Sequence, residues 1–463
     1  MCVLLWSSLA FAQKGQPQKS QPQKSQPETT APEAAPAQPS ESFAGLIAKG
    51  DAAAVEGKTS EALTWWSLAY VVELASVRGL AFKQHVPAQH MTQKALQAHM
   101  LTLIDREYPP EKRASDKAAL TAFGLIPPDL DLKTMAVELL AGEVAGFYDP
   151  ESKELYLILR EEGFEAPGLM DRLMGLALGD EEKMVLAHEL THALEDQHFD
   201  LFSMSESTKH DDDMAVALSS LVEGSAMVVM LWSRQPDSFE ALTSAAGAQA
   251  IESMLSSLEP EDLAAASGDA FKKAPLILQT QMVYPYLSGL TMCLKLIRGK
   301  GWAAIDAAYT DPPISSEQVL HPERYLNRKT DPPLKVDFSE HPPGVDPTTR
   351  TAQNTLGELS IRVLLNAEAD QGVSAADGWD GDGYIVYGTG EKARLLWLSV
   401  WENADEATAF EQALRRQRPQ MSIARHGNKI TALAGVPSGE TEKMHRWLSS
   451  RGLSEKRFVR AVK

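Results

Sequence analysis

Residues 181–199 read EEKMVLAHELTHALEDQHF, and both fold and chemistry turn on them. Glu181 and Glu182 are acids suited to the positive end of a helix dipole, and Asp180 before them is an N-cap residue. The stretch predicts a helix that runs through Met184 to about Gln197. Within it His188 and His192 are four residues apart, so both imidazoles lie on one face.

Two neutral imidazoles on one face can grip a Zn2+ ion at about 2.0–2.1 Å and leave a position for water. Glu189 is one step round the helix, close enough to take that water's proton. The sequence HELTH therefore has the pattern of a helical zinc hydrolase, with His188 and His192 as ligands and Glu189 as general base.

Two residues compete to be the third ligand. His198 stands six after His192, the place of the third histidine in the pattern HExxHxxGxxH. That geometry needs a glycine at position 195 to end the helix, and this chain has Glu195. In a continuing helix His198 points about 80° away from His188. Glu223, in LVEGSA, is the alternative. It belongs to a second helix that starts near Asp211-Asp212-Asp213, and Gly224 and Ala226 would let that helix pack close to the first. A carboxylate borrowed in this way completes a His2Glu set, and Glu223 is the ligand expected here.

Three further residues complete the candidate site. Asp196 follows His192 by four and could accept the second ring proton of a liganding histidine. Tyr286, in YPYLSG, could donate to a developing oxyanion. His321, in SSEQVLHPERYL, is a second possible donor or substrate contact.

Outward from this centre, VAGFYD and ELYLIL are short β runs joined by Pro150-Glu151-Ser152-Lys153, which reads as a hairpin. Helices are expected from Leu276 to Ile297 and from Trp302 to Tyr309, followed by a Pro-rich loop stretch from Asp311 to Pro347. The region before the hairpin reads as helical. One helix starts near Thr59, and another covers Thr92 to Arg106 and stops at Pro109-Pro110. The last part begins with a helix from Leu356 to Leu365 and a turn-rich loop, GWDGDG. Strands YIVYG and RLLWLSVWE, a helix from Asp405 to Arg416, a hairpin at Gly427-Asn428 and a final helix complete it.

Residues 3–12, VLLWSSLAFA, are too few to span a bilayer of about 30 Å as a helix. Ala10-Phe11-Ala12 fits a signal-peptidase site, so export is expected, with Gln13 as the mature start. The basic residues that ordinarily precede such a run are missing, as in a signal whose start lies upstream. The repeated QPQKS unit after it has little to bury and reads as a disordered spacer.

The full division is an export signal at 1–12, a linker at 13–42, a helical region at 43–126, a catalytic domain at 127–347 and a small α+β module at 348–463. The fold class is α+β, mostly helical. No integral membrane segment is expected beyond the signal. Nothing in the sequence points to a particular oligomeric state.

The chain has 463 residues, 44% of them hydrophobic, enough to bury a core and form more than one domain. With only Cys2 and Cys293 it is no disulfide scaffold. Its 63 acidic against 44 basic residues give a formal charge of −19, a surface that repels nucleic acid and anionic lipid.

At the residues quoted above, the chain resembles the gluzincins, zinc peptidases of the thermolysin and aminopeptidase N type with HExxH and a distant glutamate. HELTH followed by Asp196 looks like the thermolysin helix, and EGSA resembles the gluzincin glutamate helix. YPYLSG is similar to the segment whose tyrosine supports the oxyanion in the aminopeptidase N-like group, which puts that role on Tyr286. GFYDPESKELYLI, HELTHALEDQHFDL, LVEGSA and SSEQVLHPERYL also resemble a group of uncharacterised exported bacterial proteins. The resemblance implies a thermolysin-like zinc domain, a Zn2+ cofactor and a peptide or protein substrate. The aminopeptidase signature that grips a substrate N-terminus is absent, so endo- and exopeptidase both stay open. A reading of another class is an envelope scaffold with a structural zinc, in which the C-terminal module does the binding.

Overall fold

The Ser42 hydroxyl accepts the Gly45 N–H and starts α1 (Phe43–Val55). α2 (Thr59–Arg78) follows and stops on Gly79, whose left-handed backbone suits a residue without a Cβ. The computed structural model describes residues 41–159, 181–234, 239–256, 268–330, 332–365 and 375–461. The expected export signal, the spacer up to residue 40 and the Asp180 cap lie outside them.

Next come β1 (Ala88–Thr92), α3 (Gln93–Glu107), α4 (Pro110–Phe123), α5 (Leu132–Glu143) and the hairpin of β2 (Gly146–Asp149) and β3 (Glu154–Leu159). Pro109 ends no more than the approach to α4. Pro110 is the first residue of that helix, where a missing N–H breaks no bond. β1 runs parallel to β3 and β2 antiparallel to it, in the order β1-β3-β2, so β2 lies at an edge.

The helical body contains α6 (Glu181–Phe199), α7 (Leu201–Thr208), α8 (Asp212–Arg234), α9 (Phe239–Thr243) and α10 (Ala245–Ser256). It continues with α11 (Asp269–Lys273), α12 (Leu276–Lys300) and α13 (Trp302–Thr310). One face of α6, with Leu186, Ala187, Leu190, Ala193 and Leu194, packs on Leu63, Trp66 and Tyr70 of α2 and on Tyr148 and Leu157 of the hairpin. α8 is long and apolar enough to cross a membrane, but 94% of its apolar window is buried inside the fold.

α8 and α12 cross at two glycines. A Cβ on Gly224 would lie 2.2 Å from the Gly289 carbonyl, and one on Gly289 would lie 2.1 Å from Ser220 O. Gly224, expected to ease α8 onto the HELTH helix, thus serves the contact with α12.

The stretch expected as a Pro-rich loop holds α14 (Ser316–Leu320), α15 (Pro322–Asn327) and β4 (Leu334–Val336). The Ser315 side chain accepts the Gln318 N–H and starts α14, and Pro322 opens α15. Beyond it lie β5 (Arg350–Asn354), α16 (Gly357–Leu364), β6 (Trp379–Tyr387), β7 (Arg394–Trp401) and α17 (Ala404–Gln417). β8 (Ser422–His426), β9 (Lys429–Ala434), α18 (Thr441–Ser449) and β10 (Leu453–Glu455) end the described chain. The sheet order is β10-β4-β6-β7-β9-β8, with β5 also on β6.

GWDGDG was expected as a loop, but its last five residues are strand β6. Its glycines make room for neighbours: a Cβ on Gly381 would meet Leu334 O at 2.3 Å, and one on Gly383 would meet the Phe338 ring at 2.9 Å. Between them, buried Asp382 accepts the Leu356 and Gly357 N–H groups and the indole N–H groups of Trp379 and Trp397. The chain end returns to the helical body, where buried Lys456 reaches Asp211 at 2.9 Å and Asp213 at 3.2 Å. The protein is a mixed α+β fold, mostly helical.

Candidate metal centre

Helix α6 presents His188 and His192 one turn apart, with ring centroids 4.6 Å apart and planes at 88°. Their Nε2 atoms are 3.0 Å apart. From α8, Glu223 brings Oε2 to 3.1 Å from His188 Nε2 and 3.5 Å from His192 Nε2. Three atoms that can donate lone pairs therefore converge on one point. The residues are 7%, 3% and 2% exposed.

Burial works against the charge on Glu223, but attraction to His192 and hydrogen bonds with both imidazoles outweigh it and hold its carboxyl down at about 2. Burial also disfavours a charged His192, and again the carboxylates win: Glu223 first, then Glu189 and Glu195, raise it to about 9. Each partner's charge thus stabilises the other's.

The other ring nitrogens are held differently. His188 Nδ1 lies 3.1 Å from the Met230 sulfur on α8. His192 Nδ1 is buried with no hydrogen-bond partner, and so is Asp196 Oδ1. The bond expected between Asp196 and a liganding histidine is not made. Asp196 Oδ2 instead accepts the Tyr148 hydroxyl at 3.1 Å and the Lys153 ammonium at 2.6 Å. Burial pushes the Asp196 carboxyl up, against the pull of Lys153 and Tyr148.

Glu189 is buried, and its Oε2 accepts the backbone N–H of Tyr148 at 2.9 Å, from edge strand β2. Burial raises its pKa, while His188, His192 and that N–H act in the other direction. Tyr286 lies inside α12 with its ring 6.2 Å from the His188 ring and tilted by 26°. The structure thus brings Glu189 and Tyr286 to the imidazole pair.

Two residues lie elsewhere. His198 stays on α6, with Nε2 2.8 Å from Ala81 O. α6 continues through Glu195, as that residue's helix preference suggests. Glu195 is fully buried, bound by Arg78, Tyr309 and Ser225, so it ties α6 to α2, α13 and α8. His321 lies 3.1 Å from Glu358 and 4.0 Å from Asp377, both of the C-terminal part. Arg362 already sits on both of those carboxylates, so a cation is in place there.

Sequence reasoning missed Tyr148, Lys153, Met230 and Arg78. The hairpin containing Tyr148 and Lys153 was legible, but no spacing rule pairs it with residues some 40 positions later.

A family described as a domain of unknown function (DUF8575) matches residues 346–445, a stretch that does not include His188, His192 or Glu223. No curated protein and no solved structure matches the chain.

Proposed function

We propose that the chain is an exported zinc-dependent hydrolase, most simply a peptidase, with His188, His192 and Glu223 as ligands and Glu189 as general base. One observation carries the reading. The three ligand atoms are 3.0, 3.1 and 3.5 Å apart, and the ligand atoms of a zinc tetrahedron with bonds near 2.05 Å are about 3.3 Å apart. Zinc held by two imidazoles and a carboxylate would keep a position for water and lower that water's pKa toward about 7.

Glu189 then takes a proton at its carboxylate and returns it to the leaving amine. The raised pKa that burial imposes favours holding that proton between the two events. Tyr286, stacked beside His188, supplies a hydroxyl donor for the oxyanion. An extended peptide would add along the edge strand β2. The order of hairpin, HELTH helix and glutamate helix supports a thermolysin-like catalytic domain.

The second reading, a scaffold with structural zinc, is favoured by the burial of the four central residues, none more than 8% exposed. One experiment separates the two. Zinc-loaded protein is incubated with a broad peptide pool, with and without chelator, beside Glu189→Gln. The hydrolase reading expects cleavage that stops in both cases while Glu189→Gln keeps its zinc. Full cleavage by Glu189→Gln sinks the mechanism. No cleavage, with a large fall in Tm on chelation, supports the scaffold.

A further inference from the structure

At the tip of the β2–β3 hairpin, Lys153 has φ = 61°, in the left-handed region. Glycine takes that conformation freely, whereas a residue with a Cβ is strained there. The turn therefore carries lysine where glycine would be easier to fold. The lysine has a use that glycine lacks: its Nζ lies 2.6 Å from Asp196 Oδ2. The Asp196 side chain is 1% exposed and sits on α6, four residues after His192. The same oxygen accepts the Tyr148 hydroxyl at 3.1 Å. Tyr148 in turn gives its backbone N–H to Glu189 Oε2 at 2.9 Å. Three contacts thus tie the hairpin to two turns of the helix that bears HELTH.

We propose that Lys153 is a positioning residue. By drawing Asp196 and the hairpin tip together it holds β2 in place, and β2 aims the Glu189 carboxylate through the Tyr148 N–H. Lys153 acts through these two residues rather than on the ligand atoms. Its side chain is 45% exposed, so replacing it opens the latch without opening the core. The inference rests on Glu189 being the general base, but the latch itself has a readout that does not depend on catalysis.

The full zinc-loaded chain is compared as wild type, Lys153→Met, Lys153→Gly and Lys153→Arg, by amide hydrogen exchange and by turnover of a peptide pool. Lys153→Met and Lys153→Gly should speed exchange at the Tyr148 amide about ten-fold, while amides of α8 and α12 keep their rates. In the same two variants kcat should fall about ten-fold with KM unchanged. Lys153→Arg, which keeps the cation, should restore both. If residue 153 served only the turn, Lys153→Gly would protect the Tyr148 amide at least as well as wild type, and that result overturns the latch. Faster exchange with wild-type kcat overturns the positioning role. If the wild type binds zinc and cleaves nothing, it is the general-base reading that fails, and exchange at Tyr148 then decides the latch by itself.

Discussion

Glu223 is the residue that would turn two edge-on imidazoles into a chelating group. It is 2% exposed, and its charge is held by His188 and His192 against the cost of burial. Glu223→Ala removes one of three ligand atoms and should lower zinc affinity by more than about 100-fold, since even supporting residues around a metal cost 10–100-fold. Competition with a chromophoric chelator measures it, and an unchanged affinity contradicts the ligand assignment. Arg78 is a residue of another kind. It is fully buried against Glu195, at 3.1 Å, with the Trp302 ring 4.3 Å away. Arg78→Met leaves Glu195 charged and buried, which should destabilise the fold by about 3–5 kcal/mol in denaturant unfolding. A change below 1 kcal/mol would mean that the pair does not hold α6. His188, His192 and Glu189 could be read from the sequence because helix geometry fixes what residues one and four apart can do. Arg78 could not, because its partner lies 117 positions away.

Among the elements, the crossing of α8 and α12 depends on Gly224 and Gly289 having no side chains. Gly289→Ala places a Cβ 2.1 Å from the Ser220 carbonyl oxygen, a backbone atom with little room to give. The cost should be about 1–3 kcal/mol, typical of overpacking. Glu223 rides on α8, so zinc affinity should fall with it; wild-type Tm and zinc affinity together would refute the crossing. In the C-terminal module, His445 of α18 lies 2.7 Å from the Thr431 hydroxyl and 3.0 Å from that of Ser422. Burial first, then His426 and Arg415, lowers its pKa to about 4 from the ordinary 6.5. Between those values the unfolded chain binds the extra proton, so this contribution is present above pH 6.5 and is lost as pH falls toward 4. His445→Gln should remove that part of the acid slope, and parallel Tm curves for the two proteins would refute it. The long helices α2, α6, α8 and α12 were legible from the sequence, whereas α14 and α15 lie in a stretch read as a Pro-rich loop. Strand β6 was not, because Gly381 and Gly383 read as turn residues until the strand and ring packed against them are known.

For the whole molecule, the sequence foretold a mostly helical α+β fold, and the structure is one, with most helices first and most strands last. It did not foretell how these two parts are tied. β4 and β10, separated in sequence by every other strand of their sheet, lie side by side, and Lys456 buries its charge between Asp211 and Asp213 at the start of α8. Such contacts leave no periodic trace in a single sequence. The candidate metal centre belongs to this scale as well, since the residues that would hold the ion come from two helices, α6 and α8, packed in one body. Zinc-loaded crystals measured by anomalous scattering at the zinc edge test the central claim most directly. The account predicts one strong peak bonded at about 2.0–2.2 Å to His188 Nε2, His192 Nε2 and a Glu223 carboxylate oxygen. No peak there, or a peak that leaves Glu223 out of the coordination, would contradict it.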